Sequence, residues 1–263
     1  MIGGMVYLMY HELEMPGRAL CCPDNGYVRY VVAESAFRSQ ISWLKDSGWT
    51  GLTVSRALEH PQDRAVAITF DDGTETDRLV AAQVLREAAF GATFYVTAGF
   101  LGKPGYLSPA QLRELAQLGF EIGCHSMTHP YLSDLDSEGL RYEMGGAREK
   151  LEQILGAPVR HFACPGGRYN NQARAIARQT GYLSVATSCP SVNSASADRF
   201  ALGRVVVMRD TSLAGFARLC RGEGLWKKQF GVFAYQTAKR MLGNKRYDRL
   251  RAVLLERNSP QHR

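Results

Sequence analysis

The chain has 263 residues, of which 45% are hydrophobic and 22% are charged, with 32 Lys and Arg against 25 Asp and Glu. This composition excludes a disordered or low-complexity polymer, because it supplies ample apolar and aromatic material for a core. No apolar run approaches the roughly 20 residues that a transmembrane helix needs, which excludes an integral membrane protein. The opening segment has no basic region before His11 and Glu12, so we expect no cleavable signal peptide.

The positive charge is concentrated towards the end of the chain. Residues 221–263 hold 11 Lys and Arg against 3 Asp and Glu, whereas residues 1–220 hold 21 and 22. The larger part is therefore close to neutral, and the net charge gives no support for nucleic-acid binding by it. We expect one domain over 1–220 and a basic amphipathic helical tail over 221–263.

The six cysteines include no CxxC pair, which argues against a zinc ribbon or a small disulfide scaffold. Cys124 and Cys164 lie in apolar segments, where we expect reduced and buried thiols. The adjacent Cys21 and Cys22 are expected in an exposed loop. Without a leader, this cysteine usage favours a reducing compartment, and we expect a cytoplasmic protein.

Short apolar or β-branched runs alternate with helical patterns along the domain. The predicted strands are 6–10, 65–70, 92–96, 120–124, 160–164, 183–187 and 204–208. The predicted helices are 36–46, 77–89, 109–118, 134–155, 172–180 and 213–220, the fourth of them preceded by a capping-box pattern of Ser133 and Asp136. Strands that alternate with helices pair in parallel. Seven such strands favour an α/β fold of the (β/α)7, TIM-like barrel type, although an open doubly wound sheet would give a similar pattern.

The first candidate site follows the strand at 65–70, where two adjacent carboxylates, Asp71 and Asp72, precede Gly73. In both α/β architectures ligands gather at the C-terminal ends of the strands. Two neighbouring carboxylates at such a position suit a metal ligand beside a general base. A helix cap or a solvated turn is an equally good interpretation of Asp-Asp-Gly by itself.

The second candidate site follows the strand at 120–124 and contains His125 and His129. A spacing of four residues places both imidazoles on one face of a helical turn, as in metal sites with two histidines. Together with Asp72 they make three protein ligands, which leaves a coordination position open, as in catalytic zinc sites. A pair of capping or surface histidines is the alternative.

The third candidate site is the loop of Pro165, Gly166 and Gly167 after the strand at 160–164. Bare backbone in such a loop can approach a ligand and offer it N–H groups. A plain tight turn explains the same residues when they are considered by themselves.

In this order, TFDDG at 69–73, HSMTH at 125–129 and RHFACPGGRYN at 160–170 resemble the motifs of the polysaccharide deacetylase family, carbohydrate esterase family 4. The resemblance covers about residues 5–210 and implies a distorted barrel of about seven strands. It also implies metal-dependent hydrolytic removal of acetyl groups from N-acetylated amino sugars in a polysaccharide or glycan precursor. One divalent ion is implied, Zn²⁺ in the usual case, with Co²⁺ or Ni²⁺ as alternatives. Transferred residue by residue, Asp71 is the general base, and Asp72, His125 and His129 bind the metal.

The third motif departs from the family pattern at two positions. Ala163 stands where the family has a second Arg, and Gly166 stands where it has an aromatic residue, which leaves the pocket more open there. In the family that Arg tethers the catalytic Asp. Arg204, at the start of the last predicted strand, is our candidate for this task.

The late Leu-x-x-His motif, which supplies the general acid in the family, is also missing. His11 ends the first predicted strand, at the same rim as Asp71 and His125. It resembles the MYH of a family branch concerned with exopolysaccharides such as poly-N-acetylglucosamine, in which an early histidine takes the acid role. The resemblance then implies that His11 protonates the leaving amine while backbone N–H groups of the 165–167 loop hold the oxyanion. A histidine that packs against the rim is the alternative.

Other functions stay open for the same residues. One is a deformylase or another amidohydrolase that acts on a lipid-linked amino sugar or a different amide. Another is a catalytically inactive barrel that binds glycans. The tail over 221–263 is compatible with an anionic surface at the inner face of the membrane or with packing on the barrel, and no nucleic acid is expected.

Overall fold

Strands and helices alternate along residues 4–225, the part of the chain that the computed structural model describes. The strands are β1 (Met5–Tyr10), β2 (Leu13–Glu14), β3 (Val32–Ala33), β4 (Thr50–Leu52), β5 (Ala65–Phe70), β6 (Thr93–Val96), β7 (Glu121–Cys124), β8 (His161–Ala163), β9 (Ser184–Ala186), β10 (Val192–Asn193) and β11 (Val205–Val206). The helices are α1 (Asn25–Val28), α2 (Glu34–Asp46), α3 (Val54–Glu59), α4 (Ala82–Ala88), α5 (Pro109–Gln117), α6 (Ser137–Arg141), α7 (Ala147–Leu155), α8 (Asn171–Gln179) and α9 (Leu213–Cys220). All seven predicted strands are present, and β2, β3, β4 and β10 are short additions.

Parallel pairing curls the main sheet into a barrel. Its strands follow the order β1, β5, β6, β7, β8 and β9. The segment 202–206 closes the remaining gap, because Leu202 pairs in parallel with Ala186 of β9 and Val205 pairs in parallel with Leu8 of β1. The predicted distorted (β/α)7 barrel is therefore confirmed.

Alternating side chains divide the core into two parts. Alternate residues along each strand face the barrel interior or the surrounding helices. Tyr7 and Tyr95 are buried in the interior, and small side chains such as Ala67 and Ala163 face them. A Cβ atom at Gly123 would collide with the Tyr95 ring, so the glycine makes space for a large side chain inside the barrel.

The long predicted helix at 134–155 begins later than the sequence indicated. Helix α6 starts at Ser137, and its N-cap is Asp136, whose carboxylate accepts a hydrogen bond from the Gly139 N–H at 2.8 Å. The predicted cap Ser133 instead lies in a separate 3₁₀ turn, Leu132–Asp134. A capping role for Ser133 was therefore wrong, because the nearer carboxylate of Asp136 satisfies the first turn.

A polar cluster fills the N-terminal end of the barrel interior. Glu121 lies 3.4 Å from Nε2 of the buried His161 and accepts hydrogen bonds from the Thr93 hydroxyl at 2.5 Å and the Ser55 N–H at 3.3 Å. Burial alone would raise the pKa of Glu121, but His161, Ser55 and Thr93 stabilise the carboxylate and lower its pKa to about 2. This end of the barrel is held by a partly buried, ionised side chain.

We expect Glu121→Gln to lower the free energy of unfolding by about 2 kcal/mol at neutral pH, since it removes a partly buried charge from its hydrogen-bond and ion-pair partners. The unfolded pKa of Glu is about 4.3. The stabilisation by ionised Glu121 is therefore complete above about pH 5, and it is lost as the pH falls towards the pKa of this residue in the folded protein. Urea unfolding of both proteins at pH 7 and pH 3 measures this, and an equal difference at the two pH values would contradict it.

The predicted tail is described only as far as Leu225, and residues 226–263 lie outside the described part. Within residues 4–225, no helix has the length and apolar character needed to cross a membrane. All six cysteines lie in this range and are free, with Cys124 and Cys164 buried as predicted.

Candidate metal centre and active site

The C-terminal ends of the barrel strands bring the predicted site residues together. His11 follows β1, Asp71 and Asp72 follow β5, and His125 follows β7. Since parallel strands end at the same edge of a barrel, these side chains share one rim although they are far apart in sequence.

Three of these residues have the spacing of a metal site. The ligand atoms of Asp72, His125 and His129 all lie within 4.8 Å of one another. Oδ1 of Asp72 is 3.6 Å from Nε2 of His125 and 3.4 Å from Nε2 of His129. Ligands at about 2.0–2.1 Å from a tetrahedral zinc ion are about 3.3 Å apart. The arrangement therefore fits one divalent ion at the predicted position.

The partners of these side chains favour a cation between them. Nδ1 of His125 lies 2.9 Å from the Ala163 carbonyl oxygen and must donate to it, so Nε2 offers its lone pair to the centre. Burial is the main cause that lowers the pKa of His125 to about 4, which keeps the imidazole in the neutral form that binds metals. Oδ1 of Asp72 is buried and accepts no hydrogen bond within the described residues. Because buried charged groups are normally paired or coordinate a metal, this oxygen suits a metal ligand.

The loop that carries the two histidines is not a helical turn, which corrects the sequence-based expectation. Ser126 and His129 have φ values of 71° and 65°, in the left-handed region. The buried Glu143 holds this conformation by accepting hydrogen bonds from the Met127 and Thr128 N–H groups at 2.9 and 2.8 Å. The two imidazoles meet because Glu143 fixes a strained loop.

Asp72 shares this strain, with a φ value of 77°. The left-handed region is uncommon for residues other than glycine, and such outliers gather at functional sites. Gly73 has the same φ value, 77°, so two successive left-handed residues turn the chain after β5 and direct the two carboxylates differently.

Asp71 and Arg204 form a buried, bidentate ion pair inside the barrel. Nη1 and Nη2 of Arg204 donate to Oδ1 and Oδ2 of Asp71 at 2.6 and 2.8 Å. Arg204 is 1% exposed, also donates to the Thr187 carbonyl at 3.1 Å, and lies 5.3 Å from the centre of the Tyr95 ring. Burial would raise the pKa of Asp71, but the adjacent guanidinium lowers it below its usual range. The structure thus places Arg204 where a tether for Asp71 is needed.

His11 lies at the rim, partly exposed, with its ring 5.1 Å from the ring of Tyr30. Its Nδ1 is buried and has no hydrogen-bond partner within the described residues. Burial raises the pKa of Asp71 and of Asp72, and the basic groups around them, with His11 among these groups, lower it. His11 therefore lies close enough to the two carboxylates to interact with them electrostatically.

The Pro165–Gly167 turn differs in part from its predicted role. Gly166 and Gly167 have φ values of 59° and 67°. The Gly167 N–H donates to the Cys164 carbonyl at 2.9 Å within the turn. It is therefore not available to an oxyanion, which corrects the predicted role of this residue. Proline has no N–H, which leaves Gly166 as the candidate donor of this loop.

A buried cluster around Glu12 was missed by the sequence analysis. Glu12 is 0% exposed, forms an ion pair with Arg18, and accepts hydrogen bonds from the Tyr27 hydroxyl at 2.9 Å and the Cys21 N–H at 3.0 Å. Arg18 also donates to Glu75 at 2.5 Å. These contacts connect the loops after β1 and β5, and Cys21 is consequently half-buried instead of exposed. Only the acidic residue directly after His11 marks the cluster in the sequence.

Aromatic rings border the centre. The Phe100 ring lies 6.3 Å from the His129 ring and 4.8 Å from Tyr106. Tyr131, two residues beyond His129, is 39% exposed. Exposed aromatic surface beside a polar centre is typical of binding sites for small ligands.

Comparisons with known proteins show which family the chain resembles. The polysaccharide deacetylase family profile matches residues 59–185. YxkH of Bacillus subtilis, a protein assigned to the polysaccharide deacetylases, is 28% identical over 215 residues, which are 80% of this chain and 73% of YxkH. The chitooligosaccharide deacetylase of Azorhizobium caulinodans is 32% identical over 126 residues, but this covers only 47% of the chain and 58% of that enzyme.

The solved structures include a similar barrel. The structure of the Streptococcus pyogenes deacetylase PplD in complex with acetate has a TM-score of 0.73 and 25% sequence identity, and the alignment covers 82% of this chain and 98% of PplD. The profile match spans β5 to β9, the part that contains TFDDG and HSMTH. The chain therefore belongs to the polysaccharide deacetylase family and to the hydrolases of carbon–nitrogen bonds that this family comprises.

Proposed function

We propose that this protein is a metal-dependent N-deacetylase that releases acetate from N-acetylated amino sugars of a polysaccharide or glycan precursor. The observation that carries the proposal is that a metal-site geometry and an ionised carboxylate lie side by side at one rim of the barrel. Asp72, His125 and His129 converge with the spacing of a three-ligand metal site. Asp71 lies next to them as an ionised carboxylate held by Arg204.

The donor set of one carboxylate and two imidazoles suits Zn²⁺, with Co²⁺ or Ni²⁺ as alternatives. When bound, such an ion supplies a Lewis acid for the acetamide carbonyl and lowers the pKa of bound water. Asp71 takes the proton of the attacking water, and Arg204 keeps its carboxylate oriented and charged. Gly166 offers its N–H to the developing oxyanion. His11 gives a proton to the leaving amine.

We expect His11→Ala to reduce acetate release from an N-acetylated sugar by about 10²- to 10⁴-fold, the usual contribution of a general acid. The reason is that an amine leaves poorly without a proton. An activated aryl acetate needs no such proton, so its hydrolysis should fall far less in the same variant. Steady-state kinetics on both substrates measure this, and equal losses on amide and ester would contradict the acid role.

The branch and the location of the protein rest on its sequence. The MYH at 9–11 supports an exopolysaccharide-type substrate, such as a polymer or precursor of N-acetylglucosamine. The basic segment 221–263 supports a cytoplasmic protein that attaches to the anionic inner face of the membrane. Both statements belong to the proposal.

The test is a substrate panel with the full chain. β-1,4- and β-1,6-linked N-acetylglucosamine oligomers and lipid-linked amino sugars are incubated with and without a chelator, and acetate and formate are measured. We expect acetate from the N-acetylated sugars and its loss with the chelator. Formate from an N-formyl sugar, with no acetate from any substrate, would instead identify a deformylase. Binding of the oligomers without either product would identify an inactive glycan-binding barrel.

A further inference from the structure

Tyr131 and Arg168 form a stacked pair beside the candidate metal centre. The guanidinium carbon of Arg168 lies 3.4 Å from the centre of the Tyr131 ring. Tyr131 comes two residues after His129, and Arg168 directly follows the Pro165–Gly167 turn. The stack therefore bridges the loops after β7 and β8, at the rim where the proposed metal ligands lie.

The missing side chain at position 166 makes room for this stack. A Cβ atom at Gly166 would lie 2.7 Å from Cε1 and 3.2 Å from Cδ1 of Tyr131. Carbon atoms in contact are about 3.5–4.0 Å apart, so a larger residue at 166 and Tyr131 in its present position exclude each other. The sequence indicated that Gly166 leaves the pocket more open, and the structure corrects this. Tyr131 occupies the space from a neighbouring loop.

We propose that the Tyr131–Arg168 stack is a subsite for the sugar ring next to the one that is deacetylated. The subsite rests on the proposed function and specifies how the chain of sugars is held. The exposed part of Tyr131 offers an apolar surface that can pack against the C–H groups of a pyranose. Arg168 offers planar N–H donors to sugar hydroxyl groups.

Two features make the pair suited to this task. Stacking on Tyr131 holds the guanidinium in place, so less freedom is lost when it binds a ligand. The two loops that carry the pair are anchored, since Glu143 fixes the loop before Tyr131 and the Gly167 N–H closes the turn before Arg168. The subsite is therefore already formed before a substrate arrives.

The test compares substrates of one and four sugar units. For Tyr131→Leu we expect the KM of an N-acetylglucosamine tetramer to rise about tenfold, as for loss of a good aromatic contact. The kcat for the tetramer and the kinetics of the monomer should change less than about twofold, because the monomer does not reach the subsite. Tyr131→Phe, which keeps the ring, should recover most of the affinity, and Arg168→Gln should raise the tetramer KM by about threefold.

The matched control is Tyr142→Leu, which removes a tyrosine that is 57% exposed on the helical layer and should leave all kinetics unchanged. An unchanged tetramer KM in Tyr131→Leu would overturn the subsite, as would equal losses on monomer and tetramer. Both outcomes leave the proposed function intact, because the wild type still releases acetate. A wild type that releases no acetate from any sugar would overturn the proposed function and the subsite with it.

Discussion

Asp71→Asn is expected to lose about 10³-fold or more of the rate of acetate release while it still binds its metal. An amide cannot accept the proton that we assign to Asp71, and a general base contributes about 10²- to 10⁴-fold. Asp72, His125 and His129 are unchanged in this variant, so the metal content should stay at one ion per chain. Kinetics together with elemental analysis measure both quantities. Full activity in a variant that keeps its metal would contradict the assignment.

The same substitution should also destabilise the barrel. Arg204 is 1% exposed, and its two N–H donors to Asp71 would face a neutral amide. Removing one partner of a buried ion pair costs about 3–5 kcal/mol. The double variant Asp71→Asn, Arg204→Met removes both charges and should recover most of this stability without recovering activity. Chemical unfolding of the three proteins separates the catalytic loss from the structural one.

His129→Ala is expected to lose the bound metal and about 10³-fold of the activity. The side chain of His129 is 36% exposed, so its removal costs little packing, but it leaves only two of the three proposed ligands. A Lewis acid contributes several kcal/mol to such a reaction, and each 1.36 kcal/mol is a factor of ten in rate. Metal content and acetate release should fall together.

Thermal unfolding gives an independent measurement of the metal. An ion present at 1,000 times its Kd stabilises the native state by about 4 kcal/mol. The wild type should therefore melt at a higher temperature with zinc than with a chelator, and His129→Ala should not. His60→Ala changes an exposed histidine outside the centre and should behave as the wild type does. A wild type that keeps its activity after complete removal of metal would contradict the metal centre.

Local sequence patterns were sufficient to predict the barrel strands and the site residues that follow them. Apolar runs marked the seven barrel strands, and β5 has the predicted bounds, Ala65–Phe70. The proposed ligand His125 could be found because it directly follows β7, and Asp72 because it lies two residues after the end of β5. Arg204 could be found because an Arg expected at position 163 was missing, which left Asp71 in need of a distant partner.

The remaining features depend on contacts between segments that are far apart in the chain. The left-handed conformation of Ser126 and His129 requires Glu143, which no spacing connects to the HSMTH motif. The Glu12 cluster depends on Arg18 and Tyr27, which lie in a loop without periodic pattern. The position of Tyr131 over Gly166 required the loops after β7 and β8 to be adjacent, which only the closed barrel provides.

The closure of the barrel by residues 202–206 has a consequence for the order in which the protein becomes competent during synthesis. A nascent chain that has emerged as far as residue 200 already contains Asp71, Asp72, His125 and His129. It lacks the counter-charge of Asp71, because Arg204 arrives with the last strand of the barrel. The proposed base therefore gains its buried partner only when the last seam of the barrel has formed.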